Sequence, residues 1–197
     1  MARSQPRRQA RKGRRTLSDR SVALLRGINV GGRNQVGMTD LAACFRDGGY
    51  RDVSTYIQSG NVLFTADHSG GQAIEDAVEQ MLAARFGIPV LVVVRSRDEL
   101  AATIAAAPAD HGSEELRSDV FFLKQPLTAD EVLAQMPELR EGVDAVAPGP
   151  GALYFSRVAA QAGKTRITRL MSMPVFLRMT VRNWRTTTRL LDLLDGG

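Results

Sequence analysis

Extended and helical segments follow one another along this chain in an order that occurs twice. Short stretches with alternating apolar residues predict strands, and apolar residues at helical spacing predict helices. From residue 21 the order is strand, helix, strand, strand, helix, strand and one further helix, and the same order returns from residue 119. The sequence therefore predicts two β-α-β-β-α-β units, each with an appended helix.

The first predicted unit spans residues 21–107. The first helix is expected to begin at Thr39, a residue type favoured as an N-cap, and the second to end at Gly87. The appended helix follows a capping-box pattern of Ser96 and Glu99. The four strands are expected at 21–28, 52–58, 61–66 and 88–95.

The second predicted unit spans residues 118–197. Thr128 and Glu131 form another capping-box pattern, and Asn183 is expected to cap the last helix. The residues of the two units do not match in an obvious way, but the pattern does, so we interpret the chain as a duplication with its boundary near residues 108–117. The strands are expected at 119–124, 143–147, 152–156 and 174–181, with a helix over 164–171.

This element order is that of the split β-α-β unit, so the predicted fold class is α+β with two ferredoxin-like units. The strands expected at 88–95 and 119–124 are apolar at both odd and even positions. Because successive side chains of a strand point to opposite faces, both faces of each sheet are expected to be buried. The two sheets are therefore expected to pack against each other or against a second subunit.

Basic residues are concentrated at the amino end of the chain. Residues 1–20 contain eight of the 26 basic and one of the 21 acidic residues, so the net charge of +5 originates there. This segment lacks apolar periodicity and is predicted to be a disordered basic tail. Two interpretations stay open: an arm that binds nucleic acid or anionic lipid nonspecifically, and a solvated extension or a start site placed too far upstream.

The composition favours an ordinary globular protein. Hydrophobic residues make up 44% of the 197 residues, which is enough for a packed core. The longest apolar run, 88–94, is too short to cross a bilayer, and no signal peptide is expected because no apolar segment follows the basic amino end. The lone cysteine, Cys44, cannot form an internal disulfide, which favours a cytoplasmic location.

Two polar bends are predicted to leave the first sheet at the same edge. The first two strands run parallel in this topology, so the loop after the first strand lies near the turn after the second. Adjacent glycines let a ligand approach the backbone, and exposed N–H groups beside a guanidinium form an anion site. The candidate ligand-binding residues are Arg26, Asn29, Gly31, Gly32, Arg33, Gln58, Ser59 and Asn61.

A structural interpretation of these bends stays open. The paired glycines turn a chain without any ligand, and the Gln58–Asn61 turn is able to form only local hydrogen bonds. Arg26 favours a ligand, because an apolar residue is expected where a strand ends in a purely structural role. That argument fails if Arg26 pairs with Asp40 or Asp52.

A basic patch is predicted in the second unit, where the third and fourth strands end on the same side of the sheet. Such a cluster holds a phosphate or stacks a base; alternatively, Trp184 anchors the last helix in the core. The Gly163–Thr165 segment is not a P-loop, since Val158 stands where that motif requires glycine. The patch residues are Lys164, Arg166, Arg182, Asn183 and Trp184.

No catalytic group emerges from the spacing of reactive side chains. His68 and His111 lie in separate polar loops, and Cys44 lies on the inward face of a helix, so neither a metal site nor a Cys–His pair is predicted. Ser59 has no histidine near it in sequence. No metal or cofactor is predicted, the catalytic residues are unassigned, and whether the protein is an enzyme stays open.

The segments "LLRGINVGGRNQVGMTD" (24–40) and "TYIQSGNVLF" (55–64) closely resemble the signature of a bacterial family, domain of unknown function 1697. The later segments "GKTRIT" and "TVRNWRTTTRLLDL" resemble further motifs of that family, so the resemblance runs from about residue 22 to residue 194. Membership implies a small cytoplasmic α/β protein with two ferredoxin-like halves and assigns no activity. Gln35 stands where the family commonly has lysine and Gly37 where it has proline, which implies a weaker or differently tuned site.

The sequence is compatible with three functions. The first, favoured by the two bends, is the binding of a small anionic ligand such as a nucleotide or a phosphorylated metabolite. The second is a nucleic-acid-associated module whose affinity comes from residues 1–20 and whose Trp184 or Tyr56 stacks on bases. The third is a ligand-free oligomeric scaffold that associates through its sheet faces or its last helix.

Overall fold

The computed structural model describes residues 20–31, 35–67 and 71–197 of the chain. The amino-terminal half consists of β1 Arg20–Leu25, α1 Met38–Asp47, β2 Arg51–Tyr56, β3 Asn61–Thr65, α2 Gln72–Phe86, β4 Val92–Ser96 and α3 Arg97–Ala105. The carboxy-terminal half consists of β5 Leu116–Leu123, α4 Ala129–Leu133, β6 Asp144–Gly149, β7 Ala152–Val158, α5 Ile167–Met171, β8 Met179–Asn183 and α6 Trp184–Leu194, with 3-10 helices at Ala159–Lys164 and Pro174–Arg178. None of the helices in these ranges is both long enough and apolar enough to cross a bilayer.

Each half contains one four-stranded antiparallel sheet. The strand order is β2-β3-β1-β4 in the first sheet and β6-β7-β5-β8 in the second. Val22 of β1 lies opposite Arg95 of β4, and Val120 of β5 lies opposite Arg182 of β8. The prediction of a mixed α and β protein with two four-stranded antiparallel sheets is confirmed.

The two sheets pack against each other through a shared apolar cluster. Alternation along β1 places Val22 and Leu24 in this cluster, together with Val120 and Phe122 of β5. The opposite faces of the sheets belong to separate clusters beneath the helices. Burying one such side chain stabilises a protein by roughly 1.5–3 kcal/mol, so the shared cluster holds the halves together. Both sheet faces are buried within one chain, which is one of the two arrangements that the sequence predicts.

Local sequence determines where three helices begin. Ser96 Oγ accepts from the Glu99 N–H at 3.2 Å, and a Glu99 carboxylate oxygen accepts from the Ser96 N–H at 2.8 Å. The capping box of Thr128 and Glu131 is also complete. The Asn183 side chain accepts from the first turn of α6. These cap predictions are confirmed.

The predicted start of the first helix is wrong. Helix α1 begins at Met38, and Gly37 rather than Thr39 occupies the N-cap position, without a side-chain cap hydrogen bond. The extended backbone of Gly37, with ψ 134°, is what ends the preceding loop. This shift matters because it places the open end of α1 next to the first bend.

Two predictions in the second half need correction. Residues 174–181 do not form one strand: Pro174 begins a 3-10 helix, and β8 starts only at Met179. Proline lacks the N–H that a sheet ladder needs, which accounts for the delay. The helix predicted over 164–171 is shorter, because Lys164 ends a 3-10 helix and α5 begins at Ile167.

Arg20 belongs to the sheet and not to the basic tail. It begins β1, lies opposite Thr65 of β3 and donates to the Leu194 carbonyl oxygen at 2.8 Å. The rest of the predicted tail, residues 1–19, and its expected contact with nucleic acid lie outside the described residues.

Candidate ligand-binding site

The two bends lie side by side at one edge of the first sheet. Strands β1 and β2 are both antiparallel to β3, so they run parallel and end at the same edge. The Leu25 N–H donates to the Gly60 carbonyl oxygen at 2.8 Å. Asn29 Nδ2 donates to the Gln58 carbonyl oxygen at 3.1 Å. The described residues of both bends are thus in direct contact.

Asn29 closes the loop that follows β1. Its Nδ2 donates to the Val36 carbonyl oxygen at 3.0 Å, and its Oδ1 accepts from the Val36 N–H at 2.8 Å. Asn29 has φ 55°, a left-handed conformation that asparagine tolerates better than most residues. Its side chain therefore holds the bends in place and is already occupied by backbone partners.

Ile57 carries backbone strain in the turn between β2 and β3. Its φ is 50°, a value at which a β-branched residue is an outlier. Its side chain is nevertheless 49% exposed, so no burial compensates the strain. Such conformations cost on the order of 1–3 kcal/mol and persist only where the surrounding structure fixes them.

A cleft of about 480 Å³ opens beside the two bends at the amino end of α1. The N-cap residue of α1 provides no side-chain cap for the first helical N–H groups, and N–H groups at this position of a helix bind acceptors from outside the helix. We call this space the motif cleft. It is lined by Asn29, Gln35, Val36, Gly37, Met38 and Gln58.

Arg26 reaches the other half of the protein and does not line the motif cleft. Its Nη1 donates to the carbonyl oxygens of Phe176 and, at 2.7 Å, Met179. Its guanidinium carbon lies 4.3 Å from the centroid of the Phe176 ring. Burial lowers the pKa of Arg26. These partners differ from the ion pairs with Asp40 or Asp52 that the sequence left open.

Arg182 is buried between the halves, with 7% of its surface exposed, and does not belong to a surface patch. Its Nη2 donates to three backbone oxygens, those of Leu25, Ser59 and Gly60, at 2.9, 3.0 and 3.1 Å. Its Nε donates to Asn61 Oδ1 at 2.5 Å. Burial lowers the pKa of Arg182 to about 10, so the group stays charged at neutral pH. One residue of β8 thus binds both bends of the other half.

Arg95 makes the corresponding contacts in the opposite direction. Its Nη2 donates to the Leu123 carbonyl oxygen at the end of β5, at 2.6 Å, and to the Gly151 carbonyl oxygen after β6, at 2.8 Å. Unlike Arg182, Arg95 also pairs with a buried carboxylate, since its Nη1 lies 3.4 Å from Glu75 Oε1. Burial lowers the pKa of Arg95, and the nearby carboxylate opposes that shift.

Lys124 follows β5 as Arg26 follows β1, and its charge is also balanced. Its Nζ lies 2.8 Å from Glu79 Oε1 and 3.1 Å from Asp76 Oδ1. The described partners of Arg26 and Arg182 are instead carbonyl, amide and hydroxyl oxygens and an aromatic ring, all of them uncharged. Within the described residues, the guanidinium groups of Arg26 and Arg182 therefore lack carboxylate partners, whereas Arg95 and Lys124 at the corresponding edge of the other sheet have them.

The remaining predicted site residues shape the bends. The buried Asn61 side chain donates to Ser59 Oγ at 3.1 Å and to a backbone oxygen at the end of β2. Gly31 is exposed with φ 58°. Gly32 and Arg33 lie outside the described residues.

The members of the predicted basic patch have separate structural contacts. Arg182 faces the other half, and Asn183 caps α6. Arg166 Nη1 pairs with a Glu138 carboxylate oxygen at 3.0 Å. Lys164 is exposed and bonds only to a neighbouring glutamine within the described chain. Most of this patch is thus engaged in holding the fold.

His111 is buried in an aromatic pocket together with Trp184, the last patch residue. The His111 ring centroid lies 4.9 Å from that of Trp184 and 5.4 Å from that of Tyr154, with near-perpendicular rings. Its Nε2 is buried without a hydrogen-bond partner in the described chain, and burial lowers the pKa of His111. Trp184 therefore packs against the body of the protein, as the structural alternative predicts.

Potential metal ligands and nucleophiles are dispersed. Cys44 is 3% exposed, and burial raises the pKa of its thiol. His68 lies outside the described residues. Within the ranges that the structure covers, no three His, Cys, Asp or Glu side chains are close enough to bind a metal ion.

Sequence reasoning missed two contributors to this region. The lining by Gln35, Val36, Gly37 and Met38 was not predicted, although their position around the start of a helix was a usable signal. The contact between Arg182 and the turn was also missed. That contact joins positions 121 residues apart in the case of Asn61, and no local pattern indicates such a pairing.

Comparisons with known proteins agree with the two bends as a family signature. The profile of DUF1697, a protein family of unknown function, matches residues 19–154, which include both bends but not the later "GKTRIT" and "TVRNWRTTTRLLDL" segments. Among solved structures, the chain is similar to the conserved bacterial protein SP0830 from Streptococcus pneumoniae, at 27% identity and a TM-score of 0.79, over 89% of this chain and 98% of that one. A search of curated proteins returned no match. Because the profile covers more than half of its length, this chain belongs to the DUF1697 family.

Proposed function

We propose that the protein binds a small anionic ligand, a nucleotide or a phosphorylated metabolite, in the motif cleft. The unbalanced positive charge of Arg26 and Arg182 beside the two bends is the observation that carries this proposal. A buried charge without an ionic partner is costly, and a bound anion would offset part of that cost. Arg95 and Lys124 already have carboxylate partners, so the same ligand is not expected at the other sheet edge.

The open end of α1 supports the same proposal. The first N–H groups of a helix carry the positive end of its dipole and bind anionic oxygens. Gln35 and Gln58 are exposed at the cleft and offer side-chain amide donors. A volume of about 480 Å³ lies within the roughly 300–1,000 Å³ range of small-molecule sites. It suits a ligand the size of a nucleoside monophosphate.

The predicted site residues take different roles in this proposal. Gln58 contacts the ligand, whereas Asn29 holds the bends and Arg26 contributes charge. The other described members, Gly31, Ser59 and Asn61, give the bends their shape. Gly32 and Arg33 enter only through their place in the loop sequence.

Titration calorimetry and thermal-shift measurements with AMP, ribose 5-phosphate and inorganic phosphate test the proposal. At least one probe is expected to stabilise the protein, by about 2.7 kcal/mol at a concentration of about 100 times Kd. Gln58→Ala is expected to weaken binding about tenfold, since one hydrogen bond to a charged acceptor contributes roughly 1.5 kcal/mol. The matched control, Gln80→Ala on the exposed face of α2, is expected to bind like the wild type.

Replacing Asp40 is expected to change ligand affinity in the opposite direction. Its carboxylate lies beside the cleft, because a Cβ added to Gly37 would be 3.0 Å from Asp40 Oδ2. Removing this negative charge in Asp40→Asn is expected to tighten anion binding a few-fold, by roughly 0.5–1 kcal/mol. The proposal is wrong if none of the three probes binds, or if Gln58→Ala and Asp40→Asn both bind like the wild type.

We further propose that the halves are ferredoxin-like units related by duplication. The two sheets have the same strand order. Arg95 and Arg182 lie opposite Val22 and Val120 at matching positions, and each binds the end of a strand and a turn in the other half. An experimental structure in which a twofold rotation superposes the sheets without superposing these two arginines would contradict the duplication.

A further inference from the structure

The β2–β3 turn is held from outside its own half. Three carbonyl oxygens, those of Leu25, Ser59 and Gly60, converge on Arg182 Nη2. Buried carbonyl groups need hydrogen-bond partners, and β8 supplies a single donor group to both bends. The same turn contains the strained φ of Ile57, which requires a surrounding structure that fixes it.

We infer that Arg182 is a positioning residue of the motif cleft. It is not itself among the residues that line the cleft. It acts through Ser59 and Gly60, which follow Gln58 in the turn, and through Leu25, from which the other bend starts. The part of this inference that concerns ligand affinity rests on the proposed function; the part that concerns the turn does not.

The chemistry of the contact requires a guanidinium. Arginine presents five N–H donors in a planar fork, whereas lysine presents three on a single nitrogen atom. The Arg182 fork reaches Asn61 Oδ1 from Nε and the three carbonyl oxygens from Nη2. One ammonium group cannot occupy both positions, so Arg182→Lys keeps the charge and loses the geometry.

Arg95 is the internal control for this role. It is as deeply buried as Arg182, at 3% against 7% exposure, and it binds the corresponding turn of the other half. Replacing either arginine removes a buried guanidinium from the interface between the halves. Of these two arginines, only Arg182 contacts the bends of the motif cleft. If its role were merely structural, the two replacements would affect that cleft to a similar extent.

Residue-resolved hydrogen exchange by NMR on the full chain tests the positional part. The Leu25 N–H donates to the Gly60 oxygen, and the Leu123 N–H donates to the Gly151 oxygen, so the two amides are matched reporters. Arg182→Lys is expected to speed exchange at Leu25 about tenfold relative to Leu123. Arg95→Lys is expected to do the reverse. Equal acceleration of both amides by Arg182→Lys would overturn the inference.

Calorimetry with AMP as the probe tests the ligand part on the same samples. We expect Arg182→Lys to weaken AMP binding about tenfold and Arg95→Lys to leave it within about twofold. Unchanged AMP binding by Arg182→Lys, with Gln58→Ala impaired, would overturn the inference. If AMP does not bind the wild type, the failure belongs to the proposed function, and the two exchange reporters alone decide whether Arg182 positions the turn. If Arg182→Lys does not fold, the same two amides are compared in Arg182→Gln: faster exchange at Leu25 than at Leu123 supports the inference, and equal exchange overturns it.

Discussion

Replacing Arg26 by alanine separates its structural contribution from a ligand contact. The truncation removes two hydrogen bonds to carbonyl oxygens of the carboxy-terminal half and the contact with the Phe176 ring. A hydrogen bond from a charged donor contributes roughly 1.5–3 kcal/mol, and an exposed cation–π contact about 0.5–1 kcal/mol. Arg26 is only partly buried, and water is able to replace it at the carbonyl oxygens. The low ends of these ranges give a loss of about 3.5 kcal/mol, and replacement by water lowers it, so we expect the free energy of unfolding to fall by about 2 kcal/mol.

Urea unfolding followed by circular dichroism measures this change directly. For a protein of this size, about 2 kcal/mol corresponds to a decrease in Tm of about 4–8 °C. Arg46→Ala is a matched control, because the exposed Arg46 donates one bond, to the Val53 carbonyl oxygen at 3.1 Å within the same half. We expect that control to lose about 0.5–1 kcal/mol.

A loss of less than about 0.5 kcal/mol in Arg26→Ala would refute this reasoning. It would show that the contacts with Phe176 and Met179 contribute little to stability. The guanidinium would then be available for the ligand contact that the sequence suggests. An unchanged stability combined with lost binding of AMP would assign Arg26 to the ligand and not to the interface.

Two further predictions concern stability. Gly60→Ala is expected to lower the free energy of unfolding in urea by about 3 kcal/mol. A Cβ at this position would lie 2.8 Å from side-chain atoms of Ile28 and Leu25, and the backbone has φ 78°. The substitution therefore adds overpacking to left-handed backbone strain. Gly27→Ala has φ 68°, and within the described residues no atom beyond its chain neighbours lies within 4 Å of the added Cβ. We expect it to lower the free energy of unfolding by only about 1–2 kcal/mol, and equal losses in the two variants would contradict the packing argument. Because the pKa of His111 is lowered in the folded protein, the unfolded chain binds a proton at this side chain more readily. The contribution of His111 to stability is therefore fully present above about pH 6.5 and is lost as the pH falls below that value. Replacing His111 by phenylalanine is expected to weaken the pH dependence of the unfolding free energy between pH 7 and pH 5. An unchanged pH dependence would contradict this prediction.

The sequence predicts this fold where local signals are strong. The cap residues Ser96, Thr128 and Asn183 are correctly placed, because capping depends on neighbours within one turn of helix. Pro174 misleads, since the apolar segment after it has the composition of a strand while the proline itself cannot join a ladder. The start of α1 at Met38 is missed, because glycine at an N-cap contributes no side-chain signal.

The candidate site is predicted only in part, and the reason is the range of its contacts. The meeting of the two bends follows from the strand order, so Asn29 and Gln58 are correctly expected to lie close together. The direction in which Arg26 points does not follow from the strand order, because its partners lie about 150 residues away in sequence. The burial of Arg182, which the sequence places in a basic patch, does not follow from local pattern for the same reason. Both contacts cross the interface between the halves, which neither local periodicity nor turn chemistry describes.

The exchange of arginines between the halves bears on which edge of the protein binds a ligand. If two identical units packed against each other, each would insert a guanidinium into the turn of the other, and the two turns would be equivalent. In this chain Arg95 has a carboxylate partner in Glu75, whereas the described partners of Arg182 are uncharged oxygens. If the two arginines had only a packing role, a carboxylate partner would be favoured at both edges. The proposed binding of an anion from solution at the motif cleft rests on this difference between the two edges.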